Sequence, residues 1–218
     1  MLTETTGRTA QDLATELAAL READWASVWP GPPWRPEREL REWCGRQGWE
    51  PLTFDRQLVV RGPSGNELIL YSSGHWAPVS SVGYRAWHVK ADAADANGVV
   101  PAAADEQWPA YVAAATGVLG APVWTGAWDA EDFPEPPDPA FWEDRESRLR
   151  RRSPYRMAHW TTGGRDGAGA VFVLDQSVSF PTWTRHQPGG SMISLSVYPA
   201  VLTLPPPVVQ QQPVGVER

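Results

Sequence analysis

The 218-residue sequence has little cysteine, little lysine and no long apolar run. Its one cysteine, Cys44, can form neither a disulfide within the chain nor a cysteine-based zinc site. No stretch approaches the roughly 20 apolar residues of a membrane helix, and the polar start of the chain lacks the apolar core of a secretory signal. These absences favour a cytoplasmic protein without a membrane partner, although secretion by another route stays open.

The charge balance is acidic, with 26 Asp and Glu residues against 19 basic ones and a net charge of −7. A broad nucleic-acid surface is normally basic, so this balance argues against nucleic acid as a partner. Lys90 is the only lysine among the basic residues, a bias that is typical of a GC-rich genome. A hydrophobic content of 42% with 13 Trp excludes a disordered chain and allows a packed core.

Apolar residues at helical spacing predict two helices in the first half of the chain. Thr9 is the expected cap of the first helix, with Asp12 completing an imperfect capping box. The second helix is predicted from Pro36 to about Gln47, and Gly48 takes the left-handed position just past its end. Cys44 lies on the inner face of this helix, where we expect a buried and inert thiol.

The second half is predicted to begin with a helix near Glu106 or Gln107, because Pro109 is expected only in a first turn. Gly120 closes this helix. Alternating and β-branched segments predict strands at 52–61, 67–72, 82–89, 123–128, 157–161, 170–174, 178–183 and 192–198. The expected turns between strands lie at 62–66, 163–167 and 175–176.

These elements predict an α+β fold, with an antiparallel sheet or sheets and helices packed on one side. Both halves run helix, Gly, Pro and strands, so we predict two similar helix-plus-sheet lobes at 9–100 and 101–204. Residues 1–8 and the Pro/Gln-rich tail at 205–218 are expected to be disordered. The shared order indicates either an internal duplication or an order of helix, Gly, Pro and strand that is common in α+β proteins, and the sequence leaves both open.

The sequence contains no nucleophile elbow, no phosphate-binding loop and no dinucleotide fingerprint. We therefore predict no catalytic residue, no metal ligand and no cofactor. The four histidines lack the paired spacing of a metal site and are expected to be structural or at the surface: His75, His88, His159 and His186. A convergent active site that combines them with acidic residues stays open, and its first mutations would be at His88, Asp175, Arg185 and His186.

The most unusual local feature is Asp129–Asp144, the acidic segment, which holds seven acidic residues, four prolines and no basic residue. Stiff, charged loops with interleaved aromatic residues are typical of protein interfaces. The predicted partner-binding residues are Trp128, Asp129, Glu131, Asp132, Phe133, Glu135, Asp138 and Trp142. The alternative is a solvated loop, with Asp138 capping a short helix from Pro139 to about Arg151.

Six arginines follow within 145–156. This stretch either holds the acidic segment by intramolecular contacts or binds phosphate or nucleic acid, although one basic cluster on an acidic protein is weak support for the latter.

Two packing motifs carry a resemblance to a group of known proteins. The helix with Trp108-Pro109-Ala110-Tyr111 running into Val118–Pro122, and the strand with Met157-Ala158-His159-Trp160, resemble actinobacterial toxin-immunity-like and uncharacterised α+β proteins. The resemblance spans about residues 36–200 and transfers no functional residue. It implies an acidic, cytoplasmic, Trp-rich protein without catalytic residues that neutralises a toxin by direct binding.

The leading hypothesis is therefore a non-enzymatic protein-binding factor of the immunity or antitoxin type, with a basic surface on its partner. The alternatives are a hydrolase or transferase with an active site outside known motifs, and a phosphate or nucleic-acid binder that uses Arg145–Arg156.

Overall fold

The computed structural model describes residues 1–33, 37–54, 57–72, 74–137, 140–162, 169–184 and 186–200. In chain order its elements are β1 (Leu2–Glu4), α1 (Ala10–Arg21), α2 (Trp25–Val28), α3 (Glu37–Arg46), β2 (Glu50–Pro51), β3 (Leu58–Arg61), β4 (Glu67–Ser72), β5 (Val79–Ala91), a 3₁₀ helix (Ala94–Val99), α4 (Val100–Leu119), β6 (Trp124–Ala127), α5 (Arg145–Arg151), β7 (Arg156–Thr162), β8 (Ala170–Val178), α6 (Phe180–Thr184) and β9 (Gly190–Pro199). The predicted α+β class is confirmed, and helices α1 to α4 pack on one face of an antiparallel sheet.

The strands of the described residues form one sheet in the order β2-β3-β4-β5-β9-β8-β7-β6, with β1 paired to β5. All of these pairs are antiparallel. Each half of the chain forms a four-strand meander, and the meanders meet where β5 pairs with β9, from Val82↔Val197 to Lys90↔Gly190. The two predicted lobes therefore share one sheet, and one core cluster includes Leu40 from the first and Phe172 from the second.

The start of the chain differs from the prediction that residues 1–8 are disordered. Leu2–Glu4 forms β1, in which Leu2 pairs with Ala91 and Glu4 pairs with Val89. The Thr5 N–H donates to the His88 carbonyl at 2.9 Å. The long strand β5 satisfies the backbone groups of a segment whose own residues carry little strand signal.

The first helix begins at the predicted cap. The Thr9 N–H donates to Asp12 Oδ2 at 2.7 Å, the Asp12 N–H donates to Thr9 Oγ1 at 3.3 Å, and together they complete a capping box. In α3 the predicted burial of Cys44 is confirmed, and Leu40 and Trp43 are buried on the same helix. Burial raises the pKa of the Cys44 thiol to about 12, in agreement with the expected inert cysteine.

The helix α4 begins at Val100, several residues before the predicted start at Glu106 or Gln107. Pro101 occupies its first turn, whereas Pro109 lies inside the helix. Pro109 is exposed, so its ring faces solvent, and water can hydrate the carbonyl that loses its helical partner. Gly120 ends the helix as predicted, with a φ of +85°.

The strand β8 continues through the predicted turn at Asp175-Gln176 and ends at Val178. Gln176 is fully buried and its amide donates to the Ala104 carbonyl of α4 at 2.7 Å, so tertiary packing overrides the turn preference. The predicted strand at 178–183 is wrong, since Phe180–Thr184 forms α6. The predicted turn at 163–167 and the tail at 205–218 lie outside the described residues.

The sheet presents two unlike faces. Alternating residues such as Phe172, Leu174 and Leu195 point to the helix face, where they join the large core cluster beneath α1 to α4. Their neighbours point to the opposite side, the open face, where Met157 and Val173 form a small separate cluster with Phe133 of the acidic segment. The acidic segment thus lies across the open face, at the end of the sheet that holds β6, β7 and β8.

Candidate functional site

The acidic segment is attached to the open face by an aromatic side chain. Phe133 is only 7% exposed and packs with Met157 and Val173. Its ring also meets the Trp124 ring edge-on, with centroids 4.6 Å apart. Phe133 was predicted to contact a partner; in this structure it is buried and anchors the segment, and its contact with a partner stays a prediction.

Arg148 holds the beginning of the segment through two contacts. This side chain is 3% exposed, its Nη1 donates to the Trp128 carbonyl, and its guanidinium lies 4.0 Å from the centroid of the Phe133 ring. Arg152 adds a second contact, because its guanidinium lies over the Trp128 ring at 5.4 Å. Cation–π contacts and charge-assisted hydrogen bonds of this kind fix a loop that has no regular structure.

The end of the segment is fixed by the helix that follows it. Asp144, rather than the predicted Asp138, caps α5, since Asp144 Oδ1 accepts the Ser147 N–H at 2.9 Å. Arg151 donates to Glu143 at 2.8 Å. The pKa of Asp144 is lowered by its hydrogen bond with the Ser147 N–H, as is usual for a capping carboxylate.

The arginine stretch is engaged within the molecule. Beyond Arg148, Arg151 and Arg152, the Arg156 guanidinium lies 2.7 Å from Asp105 and Arg150 pairs with Glu146 at 3.7 Å. These contacts correspond to the intramolecular alternative considered for this stretch, and they leave few free guanidinium groups for a phosphate.

The other predicted partner-binding residues divide by exposure. Four carboxylate side chains are exposed: Asp129, Glu131, Asp132 and Glu135. Among them, Asp132 accepts the Trp124 indole N–H at 3.2 Å, whereas Asp129, Glu131 and Glu135 form no ion pair within the described part of the chain. Trp128 and Trp142 are half-buried, and Asp138 lies outside the described residues.

A cavity of about 230 Å³ lies between the end of the segment and the open face. Its walls combine aromatic, apolar and acidic side chains, and its lining is Phe141, Trp142, Glu143, Ser153, Pro154, Met157, Val173, Asp175 and Tyr198. The Phe141 and Tyr198 rings stack with their centroids 4.3 Å apart. The Trp142 indole N–H donates to the Pro134 carbonyl at 3.0 Å, which ties this wall to the segment itself.

Asp175 is the carboxyl group that the open face contributes to this cavity. Its Oδ1 accepts a hydrogen bond from Ser194 on β9 at 3.1 Å. Burial raises the pKa of Asp175 to about 6, with the Ser194 hydrogen bond opposing the shift. The sequence singled out Asp175 for mutation but assigned it to a turn, whereas it lies in strand β8.

The histidine side chains lie in different surroundings. On the open face, His88 Nδ1 and Thr5 Oγ1 lie 2.5 Å apart, and burial lowers the pKa of His88. His159 is buried beside Trp142, with ring centroids 5.4 Å apart, and burial also lowers its pKa. His186 is exposed, and His75 lies beside the Trp76 ring.

The described residues contain no group of three or more His, Cys, Asp or Glu side chains that could hold a metal ion. In the same part of the chain, no helix is both long and apolar enough to cross a membrane. The chain matches no protein-family model, no curated protein and no solved structure. The resemblance to toxin-immunity proteins therefore stays a prediction.

Proposed function

We propose that this chain is a non-enzymatic binding protein of the immunity or antitoxin type, which neutralises a protein partner in the cytoplasm by direct contact. The acidic segment is the contact surface, and a basic patch on the partner is its counterpart. The observation that carries the proposal is the way the segment is held: Phe133 is fixed on the open face while the carboxylates of Asp129, Glu131 and Glu135 are exposed.

Preorganisation supports this use of the segment. Phe133 and Arg148 fix the backbone of a loop that would otherwise lose conformational entropy when a partner binds. A surface that is already ordered keeps more of its contact energy as affinity.

The free carboxylates supply the charge. Asp129, Glu131 and Glu135 are exposed and form no ion pair within the described residues. Unpaired charges of one sign attract an oppositely charged partner, speed encounter and disfavour partners of the wrong charge. The half-buried Trp128 adds apolar contact area beside these carboxylates, a combination that is common where interfaces bind most strongly.

The test is co-expression of the chain with the product of the adjacent gene, followed by co-purification and an assay for rescue of any toxicity. The proposal expects a complex that weakens when Asp129→Asn, Glu131→Gln and Glu135→Gln are combined. The matched control combines Asp95→Asn, Glu67→Gln and Glu106→Gln, which removes the same charge from exposed positions elsewhere. No complex with the wild-type chain, or equal weakening by both triple variants, would overturn the proposal.

A further inference from the structure

The cavity between the acidic segment and the open face has the chemistry of a cation-binding site. We propose that it binds one ammonium or guanidinium group, and, because this inference rests on the proposed function, that the group is a lysine or arginine side chain of the protein partner. The cavity thereby becomes the anchoring pocket within the wider acidic surface.

The aromatic walls are the first argument. Phe141 and Tyr198 stack at 4.3 Å, and Trp142 meets Phe141 edge-on at 6.3 Å between centroids. All three rings line the cavity. Ring faces attract cations electrostatically, and the attraction grows where the cation is removed from water. Such aromatic walls are typical of pockets that take ammonium groups, including methylated lysine.

The carboxyl groups are the second argument, and they come from separate elements. Asp175 extends from β8, whereas Glu143 precedes α5. Arg151 pairs with Glu143 Oε1, while Glu143 Oε2 is buried and has no hydrogen-bond partner among the described residues. Asp175 has a neutral partner in Ser194. A guanidinium group would supply these carboxyl groups with several more N–H donors together with a positive charge.

The volume of the cavity favours a single side chain over a larger ligand. Pockets for drug-sized molecules and cofactors are roughly 300–1,000 Å³, and this cavity of about 230 Å³ is smaller. A volume of this size suits the end of one long basic side chain or a small free amine. Burial also raises the pKa of Asp175 to about 6, and an arriving cation would lower it again by stabilising the carboxylate.

The experiment is an NMR titration of the purified chain that follows the Trp142 indole N–H, assigned with Trp142→Phe. Methylguanidinium is the probe, and methylurea is its neutral counterpart of similar shape. We expect methylguanidinium to shift the signal saturably while methylurea does not. Asp175→Asn should weaken the binding by at least about tenfold, because it removes a charge-assisted hydrogen bond.

A second variant separates charge from fold. Glu143→Gln should also weaken binding of the probe, and thermal unfolding of both variants shows whether each is folded. No saturable shift with methylguanidinium, an equal shift with methylurea, or unchanged affinity in both folded variants would overturn the proposal.

Two further measurements are needed. One tests whether the bound cation belongs to a protein side chain, and the other tests whether this inference can hold when the proposed function fails. If acetyl-Gly-Arg-Gly-amide binds more tightly than methylguanidinium, an arginine side chain is supported as the source; weaker binding overturns it in favour of a small free guanidinium compound. The triple variant of Asp129, Glu131 and Glu135 should keep its affinity for the probe, since none of these residues lines the cavity. Loss of partner binding with retained probe binding would therefore separate the two proposals.

Discussion

The two faces of the sheet are covered in different ways. The helix face lies under α1 to α4 and contains almost all of the large buried side chains, including Phe172 and Leu195. The open face is covered at one end by a loop that is held by the packing of Phe133 in a small apolar cluster and by hydrogen bonds from Arg148 and Trp142 to backbone carbonyls. The buried apolar contacts that stabilise the fold lie mainly on the helix face, whereas the candidate binding residues lie on the open face.

The largest expected effect comes from comparing one phenylalanine on each face. Phe172→Ala opens a cavity in the fully buried core of the helix face, and we expect a loss of about 3–5 kcal/mol in the free energy of unfolding. Phe133→Ala should cost less than about 3 kcal/mol, because a loop at the surface can collapse onto the gap. Urea unfolding of both variants measures this difference. A loss for Phe133→Ala as large as that for Phe172→Ala would show that the open face is equally part of the core.

The next effect concerns the arginine that holds the segment. Arg148→Met keeps an apolar stem but removes the donor to the Trp128 carbonyl, and we expect a loss of about 1–3 kcal/mol. Limited proteolysis should then cut within the acidic segment before the sheet unfolds. Arg150→Met is the control, because its exposed pair with Glu146 contributes at most about 1 kcal/mol. Equal protease resistance of wild type and Arg148→Met would contradict the assigned role of Arg148.

The sequence predicts features that depend on neighbouring residues better than features that depend on residues distant in the chain. Capping of α1 by Thr9 and Asp12, burial of Cys44 in α3 and closure of α4 at Gly120 all depend on nearby residues, and all three are found. The role of Phe133 depends on strands β7 and β8, which are distant in sequence. No local pattern distinguishes an aromatic residue that anchors a loop from one that faces a partner.

Two errors have the same origin. Asp175 was predicted in a turn because aspartate is common there, yet the register of β8 between β7 and β9 places it in a strand. Leu2–Glu4 was predicted to be disordered, but β5 is long enough to pair with it beyond the end of β4. In both places the partner strand decides the structure, and an isolated sequence does not reveal the partner.

A third prediction uses the pH dependence of stability on the open face. The pKa of Asp175 is raised to about 6 from an ordinary value near 3.8. Between these two pH values the folded state binds more protons than the unfolded state, so the free energy of unfolding falls as the pH rises from about 4 to 6. The Asp175→Asn variant does not lose stability in this way, because asparagine does not titrate. We expect the variant to exceed wild type by up to a few kcal/mol above pH 6, at about 1.4 kcal/mol per pKa unit, and to match it near pH 3.

The helix face offers a control of opposite sign. Hydrogen bonds with the Thr9 backbone and side chain lower the pKa of Asp12, so this carboxylate stabilises the folded state above its unfolded pKa and loses that effect as the pH falls. Asp12→Asn should therefore be less stable than wild type at pH 7, with the difference fading in acid. Unfolding by urea across this pH range tests both residues, and the same sign for the two variants would contradict the assignment.

The smallest expected effect on stability is at the exposed carboxylates of the acidic segment, which form no ion pair among the described residues. The triple variant of Asp129, Glu131 and Glu135 should unfold within about 0.5 kcal/mol per substitution of wild type, because exposed groups without ion pairs contribute little. Thermal unfolding of this variant beside its matched control at Glu67, Asp95 and Glu106 checks this expectation. A loss of several kcal/mol in the segment variant alone would mean that these carboxylates hold the loop rather than face a partner.

The most direct test of the central claim is the association rate with the partner, measured for wild type and both triple variants at low and high salt. Steering by exposed carboxylates predicts that the segment variant associates about tenfold more slowly at low salt, with a weaker dependence on ionic strength. The control variant should stay near the wild-type rate. Equal rates for the two variants at both salt concentrations would contradict the assignment of the acidic segment as the binding surface.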